Sequence, residues 1–302
     1  MNTVDLFCGC GGLSLGFEQA GYKIMAAYDN WDDAIAIYKE NFSHPIFKQD
    51  LSDVGSTVNE LKDYSLDMII GGPPCQDYSS AGQRNEDNGR GVLTISYAQI
   101  VSSIKPEWFV MENVERILKT NKLQEAKAIY KEAGYGLTQV VLNASLCGVP
   151  QNRKRFFLIG HLEDRDDFLL DYLQKNLSEK EMTLRDYFGE SLGVNYYYRH
   201  PRNYNRRAIF SIDEPSPTIR GTNCGIPPTY KLHPADPVKS VDGIRGLSTI
   251  ERSYIQTFPK NFKWSGSKTK LEQIIGNAVP VKLAKYVASA ILEYIQDCAQ
   301  AN

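Results

Sequence analysis

The sequence lacks any run of about 18 apolar residues that would cross a bilayer as a helix. Its first residues, Met1-Asn2-Thr3-Val4-Asp5, carry neither a basic segment nor an apolar one of the secretory kind. The expectation is a soluble, cytoplasmic chain with no membrane partner. It also lacks a surplus of positive charge: 34 Lys and Arg stand against 36 Asp and Glu, a net of −2. A uniformly basic surface is thereby excluded, and a nucleic-acid partner would need a local basic patch. The six cysteines (Cys8, Cys10, Cys75, Cys147, Cys224, Cys298) have the spacing of neither a zinc ribbon nor a disulfide framework. Cys8-x-Cys10 has no second ligand pair nearby, so no metal is expected. In a reducing compartment these thiols stay free. The Gly-x-Gly-x-x-Gly string is missing as well, which disfavours a nicotinamide-dependent oxidoreductase.

What is present is ordinary globular composition, 42% hydrophobic and 23% charged, in 302 residues. That length suits one large domain or two modest ones. The chain opens as strand, glycine-rich turn and helix: Thr3 to Phe7, Gly9-Cys10-Gly11-Gly12, then Leu13 to Ala20. This is the entry of a nucleotide-binding α/β fold. A second strand, Lys23 to Tyr28, ends in Asp29-Asn30-Trp31, with a helix from Asp32 to Asn41. Asp29 stands where such folds hold a ribose, or it caps the helix. Trp31 suits stacking on a purine. A third strand, Pro45 to Lys48, leads to Asp50-Leu51, where Asp50 accepts from an adenine amino group or serves as a cap.

The apolar run Leu66 to Ile70 reads as a buried parallel strand. Gly71-Gly72-Pro73-Pro74 stops it, and Cys75 follows in flanks too polar for a core. Cys75 is therefore read as a nucleophile at the ligand-binding edge of the sheet. The polar run Asp77 to Gly91 is long enough to be a functional lid. After a helix, Leu93 to Ile104, the strand Trp108-Phe109-Val110-Met111 ends in Glu112, one strand along from Cys75. A carboxyl desolvated there can donate a proton near neutral pH. Two further strands, Gly136 to Asn143 and Arg155 to Gly160, flank Gln151-Asn152-Arg153-Lys154-Arg155. Alternation in an extended segment predicts that Arg153 and Arg155 share a face, suited to a phosphate or a carbonyl oxygen gaining charge.

These strings, in this order, resemble the motifs of the cytosine-C5 DNA methyltransferases. Phe7-Cys8-Gly9-Cys10-Gly11-Gly12 matches their first motif, with Cys8 where Ala is more usual. Pro73-Pro74-Cys75-Gln76, Glu112-Asn113-Val114 and Gln151-x-Arg153-x-Arg155 match the catalytic ones, and Gly276-Asn277-Ala278-Val279-Pro280 the closing one. Leu247 to Phe262 resembles the motif just before it. Asp29-Asn30-Trp31 departs from the Asn-Glu-Trp of many members.

The resemblance implies an α/β fold: the Rossmann-like mixed sheet of S-adenosylmethionine-dependent methyltransferases, with helices on both faces, plus a small irregular target-recognition domain. Residues 1–161 and 275–302 are expected to form the catalytic domain and 162–274 the recognition domain. It implies S-adenosylmethionine as cofactor, with candidate contacts at Phe7, Gly9, Cys10, Gly12, Asp29, Asn30, Trp31, Asp50, Leu51, Pro73, Asn277 and Ala278. Catalysis would use Cys75 on C6 of a flipped cytosine, Glu112 at N3, Arg153 at the O2 carbonyl and Arg155 orienting the loop.

The double-stranded DNA partner has its own sequence signal. Tyr196 to Arg207 holds four Arg and four Tyr in twelve residues without an acid, which suits phosphates and bases. DNA candidates are Ser79, Gln83 and Arg84 in the loop, then Arg199, Arg202, Tyr204, Arg206, Arg207, Thr218, Arg220 and Asn223. Thr218-Ile219 matches the pair that helps hold the target base in the family, and Ser216 to Asn223 resembles enzymes reading GG…CC-type palindromes. A monomeric restriction-modification enzyme with a cognate endonuclease is the expectation. A transfer-RNA methyltransferase has nearly the same core, but its Cys-Phe-Thr string is absent here; a non-catalytic DNA-binding protein would need neither Cys75 nor Glu112.

Overall fold

The computed structural model describes residues 1–74, 91–201, 203 and 205–301. The chain divides into two compact units. The first comprises Met1–Leu142, Lys154–Leu177 and Ala284–Asn302, the second Asn143–Arg153 and Ser178–Leu283.

In the first unit the alternation runs β1 (Asn2–Leu6), α1 (Gly12–Gln19), β2 (Lys23–Asp29), α2 (Asp32–Asn41), β3 (Ile46–Lys48), α3 (Val54–Leu61), β4 (Met68–Gly71), α4 (Val92–Ile104), β5 (Trp108–Val114), α5 (Asn121–Glu132) and β6 (Tyr135–Asn143). The two-residue β7 (Gln151–Asn152) belongs to the second unit, and the chain returns to the first in β8 (Lys154–Leu162) and α6 (Leu170–Lys175). The sequence reading does not extend to α3, α5, α6 and β7, and the strands and helices it does place lie within two residues of these bounds. The exception is β5, which runs three residues past Met111 because Glu112, Asn113 and Val114 stay paired to β8.

The sheet has the order β3-β2-β1-β4-β5-β8-β6. Pairing is parallel from β3 through β5, while β8 lies antiparallel to β5, so the sheet is mixed. Strand order reverses between β1 and β4, and open sheets of this kind bind ligands outside the carboxyl ends of the strands at that switch. Both faces are covered. Val4, Leu6, Ile69, Phe109 and Met111 pack into one core with Leu61, Tyr97, Ile100, Val101, Leu123 and Tyr130 of α3, α4 and α5. Side chains alternate across a strand, so Asp5 turns to the opposite face and meets Ser14 of α1. There, too, lie Ala27, Ile35 and Tyr38.

The room for turning at the β4 tip is set by Gly71. A Cβ there would lie 2.6 Å from the Leu6 carbonyl oxygen and 2.6 Å from the Tyr97 ring. Gly71→Ala is expected to destabilise the first unit by about 1–3 kcal/mol, as overpacking does, seen as a lowered Tm.

In the second unit follow α7 (Leu184–Phe188), β9 (Tyr196–Tyr198), β10 (Ile209–Ser211), β11 (Ser216–Pro217), β12 (Arg245–Gly246), α8 (Thr249–Ile255) and α9 (Lys268–Asn277). β9 is flanked by antiparallel β10 and parallel β12, and β11 pairs with β7. The chain ends in α10 (Val281–Ala301), which carries Ala284, Val287, Ala288 and Ile291 fully buried into the first unit. The stretch Lys268–Gln300 is long and apolar enough to cross a membrane by composition, but 67% of its apolar window is buried inside the protein, as in a core helix.

Candidate active site

The turn after β1 is built by backbone conformations that side chains rarely take. Phe7, Gly9 and Gly11 have φ of 59°, 55° and 90°, and a non-glycine residue held in that region marks a site where the surroundings enforce strain. What ties the turn down is Asp29 at the tip of β2. Its carboxylate accepts from the Gly9 N–H at 2.8 Å and from the Trp31 N–H at 2.9 Å. Burial raises the Asp29 pKa, with the N–H groups of Trp31, Gly9 and Asn30 pulling the other way. Asp29 is thus not the cap of α2; Trp31 occupies that position. The Trp31 indole is fixed by donating to Asp33 at 3.0 Å. Asn30 is exposed, Gly12 and Leu51 are buried, and Asp50 accepts from the Ser52 N–H and hydroxyl, which lowers its pKa. Cys10 is buried, its thiol pushed up to about 12 by desolvation.

This arrangement fits a nucleoside-bearing cofactor. Two carboxylates stand at the ends of β2 and of the loop after β3, an aromatic ring lies between them in the chain, and the space above Gly9 is open.

At the next strand tips, Gly71 pairs with Met111, so Gly72 falls beside Glu112. A Cβ on Gly72 would lie 3.2 Å from the Glu112 carboxylate. Asn113, buried in the following position, donates to the Pro73 carbonyl at 3.0 Å, and its own oxygen accepts from the Val114 N–H at 2.9 Å. Asn113 therefore clamps the Pro-Pro segment to the strand that carries Glu112. Cys75, two residues beyond Pro73, lies outside the described residues, as do Ser79, Gln83, Arg84 and the rest of the expected lid up to Arg90. Glu112 is 8% exposed and its carboxylate meets Arg155 Nε at 2.9 Å. Burial lowers the Arg155 pKa while Glu112 pulls it back up. The sequence reading expected a desolvated Glu112 and gave it no cationic partner.

The two arginines do not share one face. β7 and β8 break between them. Arg153, 1% exposed, donates to the carbonyls of Ile219 at 2.9 Å, Gly276 at 2.8 Å and Ala278 at 3.1 Å, all within the second unit. The sequence reading put Arg153 at the reacting base and Arg155 on the loop and backbone; in the structure Arg153 holds backbone carbonyls and Arg155 holds the Glu112 carboxylate. Around Arg153 runs a buried amide network. Gln151 donates to Gln256 at 2.7 Å and accepts from the Ile219 N–H at 2.8 Å; Gln256 donates to the Ile275 carbonyl at 2.7 Å. Asn277 is exposed at the end of α9, and the Ala278 carbonyl accepts from both Arg153 and Gln256.

The Tyr- and Arg-rich run has a different character from that expected. Tyr197 and Tyr198 are 2% and 1% exposed and form the core of β9. Arg199 donates to the Thr218 carbonyl at 2.7 Å, and Arg207 pairs with Glu214, an acid just outside the run, while lying over the Phe210 ring. Arg220 donates to the His200 carbonyl, Thr218 to the Asn152 carbonyl at 2.8 Å, and Asn223 to the Leu247 carbonyl and Glu272. These side chains hold the second unit's own backbone. Arg206 is exposed; Arg202 and Tyr204 lie outside the described residues. Sequence reasoning missed Asn113, although it sits in the Glu112-Asn113-Val114 string, and Gln256. A polar amide at a buried strand tip or in an apolar stretch was the available signal.

Comparison with known proteins identifies the family. Residues 1–293 match the C-5 cytosine-specific DNA methylase family. The Type II methyltransferase M.HindV of Haemophilus influenzae is 60% identical over 296 residues, covering 97% of each chain. M.HgiDI of Herpetosiphon aurantiacus, also a Type II methyltransferase, is 55% identical over 295 residues, 98% of this chain and 95% of the relative. Among solved structures, S. pombe Dnmt2 methyltransferase superposes with a TM-score of 0.73 at 17% identity over 98% of this chain and 99% of that one, a likeness of fold. By its family match, and by relatives that align along almost its whole length, the chain belongs to the C-5 cytosine-specific DNA methylases and is a DNA cytosine-5 methyltransferase.

Proposed function

We propose that this protein methylates C5 of a flipped cytosine within a short specific duplex sequence, with S-adenosylmethionine as the cofactor. The observation that supports this most is the Glu112–Arg155 pair set against the Gly72-Pro73 strand tip, at the sheet edge that also carries the glycine-rich turn. C5 of cytosine is a weak nucleophile. Addition of the Cys75 thiolate to C6 pushes electron density toward C5, provided that N3 gains a proton. Glu112 holds that proton, and Arg155, beside the same carboxylate, fixes its orientation and offers donors to a ring carbonyl. The bound cofactor supplies an electrophilic methyl group. After transfer, water takes the C5 proton, the C5–H electrons re-form the C5–C6 double bond, the sulfur–C6 bond breaks to release Cys75 as thiolate, and N3 returns its proton to Glu112.

On this reading Phe7, Gly9, Gly12, Asp29, Trp31, Asp50, Leu51 and Pro73 hold the cofactor. The second unit reads the DNA, with Arg206 and the Thr218-Ile219 segment as contacts. A cytoplasmic, monomeric enzyme protecting DNA from a cognate endonuclease completes the proposal. Bisulfite sequencing of a plasmid expressed with the protein tests it: one short motif should be fully protected at one cytosine, and conversion everywhere would refute it.

A further inference from the structure

A buried polar chain crosses the first unit beneath the glycine-rich turn, and the mechanism above does not use it. Ser14 donates to Asp5 at 2.5 Å, the Tyr38 hydroxyl lies 2.7 Å from the Ser14 hydroxyl, and His44 Nε2 lies 2.6 Å from the Tyr38 hydroxyl. At the outer end His44 Nδ1 meets Glu18 at 3.1 Å. Asp5, Ser14 and Tyr38 have no exposed surface, and the His44 side chain is 9% exposed. We propose that Asp5 and His44 share one proton through Ser14 and Tyr38, and that this proton positions the Gly9–Gly12 turn for its ligand.

The argument is a count of hydrogens. Each hydroxyl has one, so the chain points in one direction at a time. If Asp5 is ionised, Ser14 donates to it, Tyr38 donates to Ser14, and His44 must donate to Tyr38 from Nε2. The Nδ1 facing the Glu18 carboxylate then also needs its hydrogen, which makes His44 an imidazolium. In the other direction Asp5 is protonated and donates to Ser14, Ser14 to Tyr38, and Tyr38 to the Nε2 lone pair, while neutral His44 keeps Nδ1–H toward Glu18. The two arrangements contain the same number of protons and satisfy every bond from Asp5 Oδ2 to Glu18, with Asp5 Oδ1 unpartnered in both. Removing the shared proton breaks one: with the chain pointing at ionised Asp5, a bare Nδ1 faces the Glu18 carboxylate.

The surroundings favour keeping that proton. The titratable groups that act on Asp5 and Tyr38 are Asp29 on β2, Cys8 in the turn and Glu18 on α1, and Asp5 in turn acts on Tyr97 of α4, all of them acids. His44 is the one base in the chain. Burial, with Asp29 adding to it, pushes Asp5 up to about 7 against the hydrogen bonds from Ser14.

The chain reaches the turn by packing. The Tyr38 and Phe42 rings stack at 4.2 Å, and Gly11 rests on both: a Cβ there would overlap Phe42 and come within 2.9 Å of Tyr38. Ser14, in the first helical turn, ties the far side of the same loop to β1.

That the turn's ligand is the cofactor rests on the preceding reading; the shared proton does not. Two measurements on the full chain separate them. In NMR titrations the Asp5 carboxyl carbon and the His44 ring nitrogens should report the loss of the shared proton at one midpoint, and Tyr38→Phe, which keeps the ring stack, should split it into two. Independent midpoints in the wild type, or no change in the variant, would overturn the shared proton. His44→Gln, which keeps a donor toward Tyr38 but cannot take up a proton, gives the same test should Tyr38→Phe fail to fold: Asp5 should then titrate at a new midpoint, and an unmoved one counts against the proposal.

Calorimetric binding of S-adenosylmethionine should weaken by up to tenfold per pH unit above the wild-type midpoint, the limit for one linked proton. Tyr38→Phe should flatten that slope. A flat wild-type slope alongside a common midpoint would overturn the positioning role. No binding at any pH would overturn the cofactor reading and the positioning role with it, while NMR still decides the shared proton.

Discussion

Cys75→Ala is expected to abolish methyl transfer while the protein still folds and binds duplex DNA. Removing a covalent nucleophile in a well-measured hydrolase costs on the order of 10⁶ in rate, so transfer of labelled methyl should fall below detection. No other thiol among the described residues is placed to substitute. Cys8, Cys10 and Cys147 are buried, and burial drives their thiols up, Cys10 and Cys147 to about 12. Cys224 and Cys298 are exposed, and neither follows a strand of the seven-stranded sheet in the chain, as Cys75 does. DNA with 5-fluorocytosine at the target should trap the wild type as a covalent adduct, because fluorine cannot leave C5 as a proton does. A peptide mass spectrum should place the adduct on Cys75. Robust methylation by Cys75→Ala, or an adduct on another cysteine, would end this mechanism.

The order of elements was legible because its signals are local. Glycine and proline punctuate Gly9–Gly12 and Gly71–Pro74, and the apolar runs at Val4, Ile69 and Phe109 have the density of strands buried on both faces. Glu112 was legible too, since a carboxyl directly after an apolar strand has nowhere to sit but the sheet edge. What sequence could not show was the pairing. Arg153 and Arg155 are two residues apart and chemically alike, and their partners lie on distant segments: Ile219, Gly276 and Ala278 for one, Glu112 for the other. Glu214 neutralising Arg207, and Tyr197 turning into the core, are equally nonlocal. A run of Arg and Tyr has the same composition whether it faces solvent or braces its own domain. The Asp5 chain was hidden for a related reason, since its members are spread from residue 5 to residue 44 and meet only after β1, α1 and α2 pack.

The contrast between the two arginines gives the second large effect. Arg155→Ala should lower kcat by roughly 10²–10⁴, the range over which a positioned proton donor acts, with a smaller change in Tm. The reason for the modest stability cost is that Glu112, left without its cation, can take up a proton and become neutral. The three carbonyls that Arg153 serves have no such escape. Arg153→Ala leaves the Ile219 and Gly276 carbonyls without this donor, at about 1–3 kcal/mol each before relaxation, while Ala278 keeps Gln256, so a total of roughly 2–5 kcal/mol is expected. Its activity should fall along with the folded fraction and recover at low temperature. Arg155→Lys should recover part of the rate, because a point charge still meets the carboxylate without the planar fork. Glu112→Gln combined with Arg155→Ala should be little worse than either alone, since residues acting as one unit are not additive. Thermal melts and single-turnover rates on the five variants, Glu112→Gln alone included, test this together. If Arg153→Ala kept a native Tm with a lost chemical step, and Arg155→Ala melted early with its chemistry intact, then Arg153 would be the residue at the reacting base and the pairing drawn from the geometry would fail.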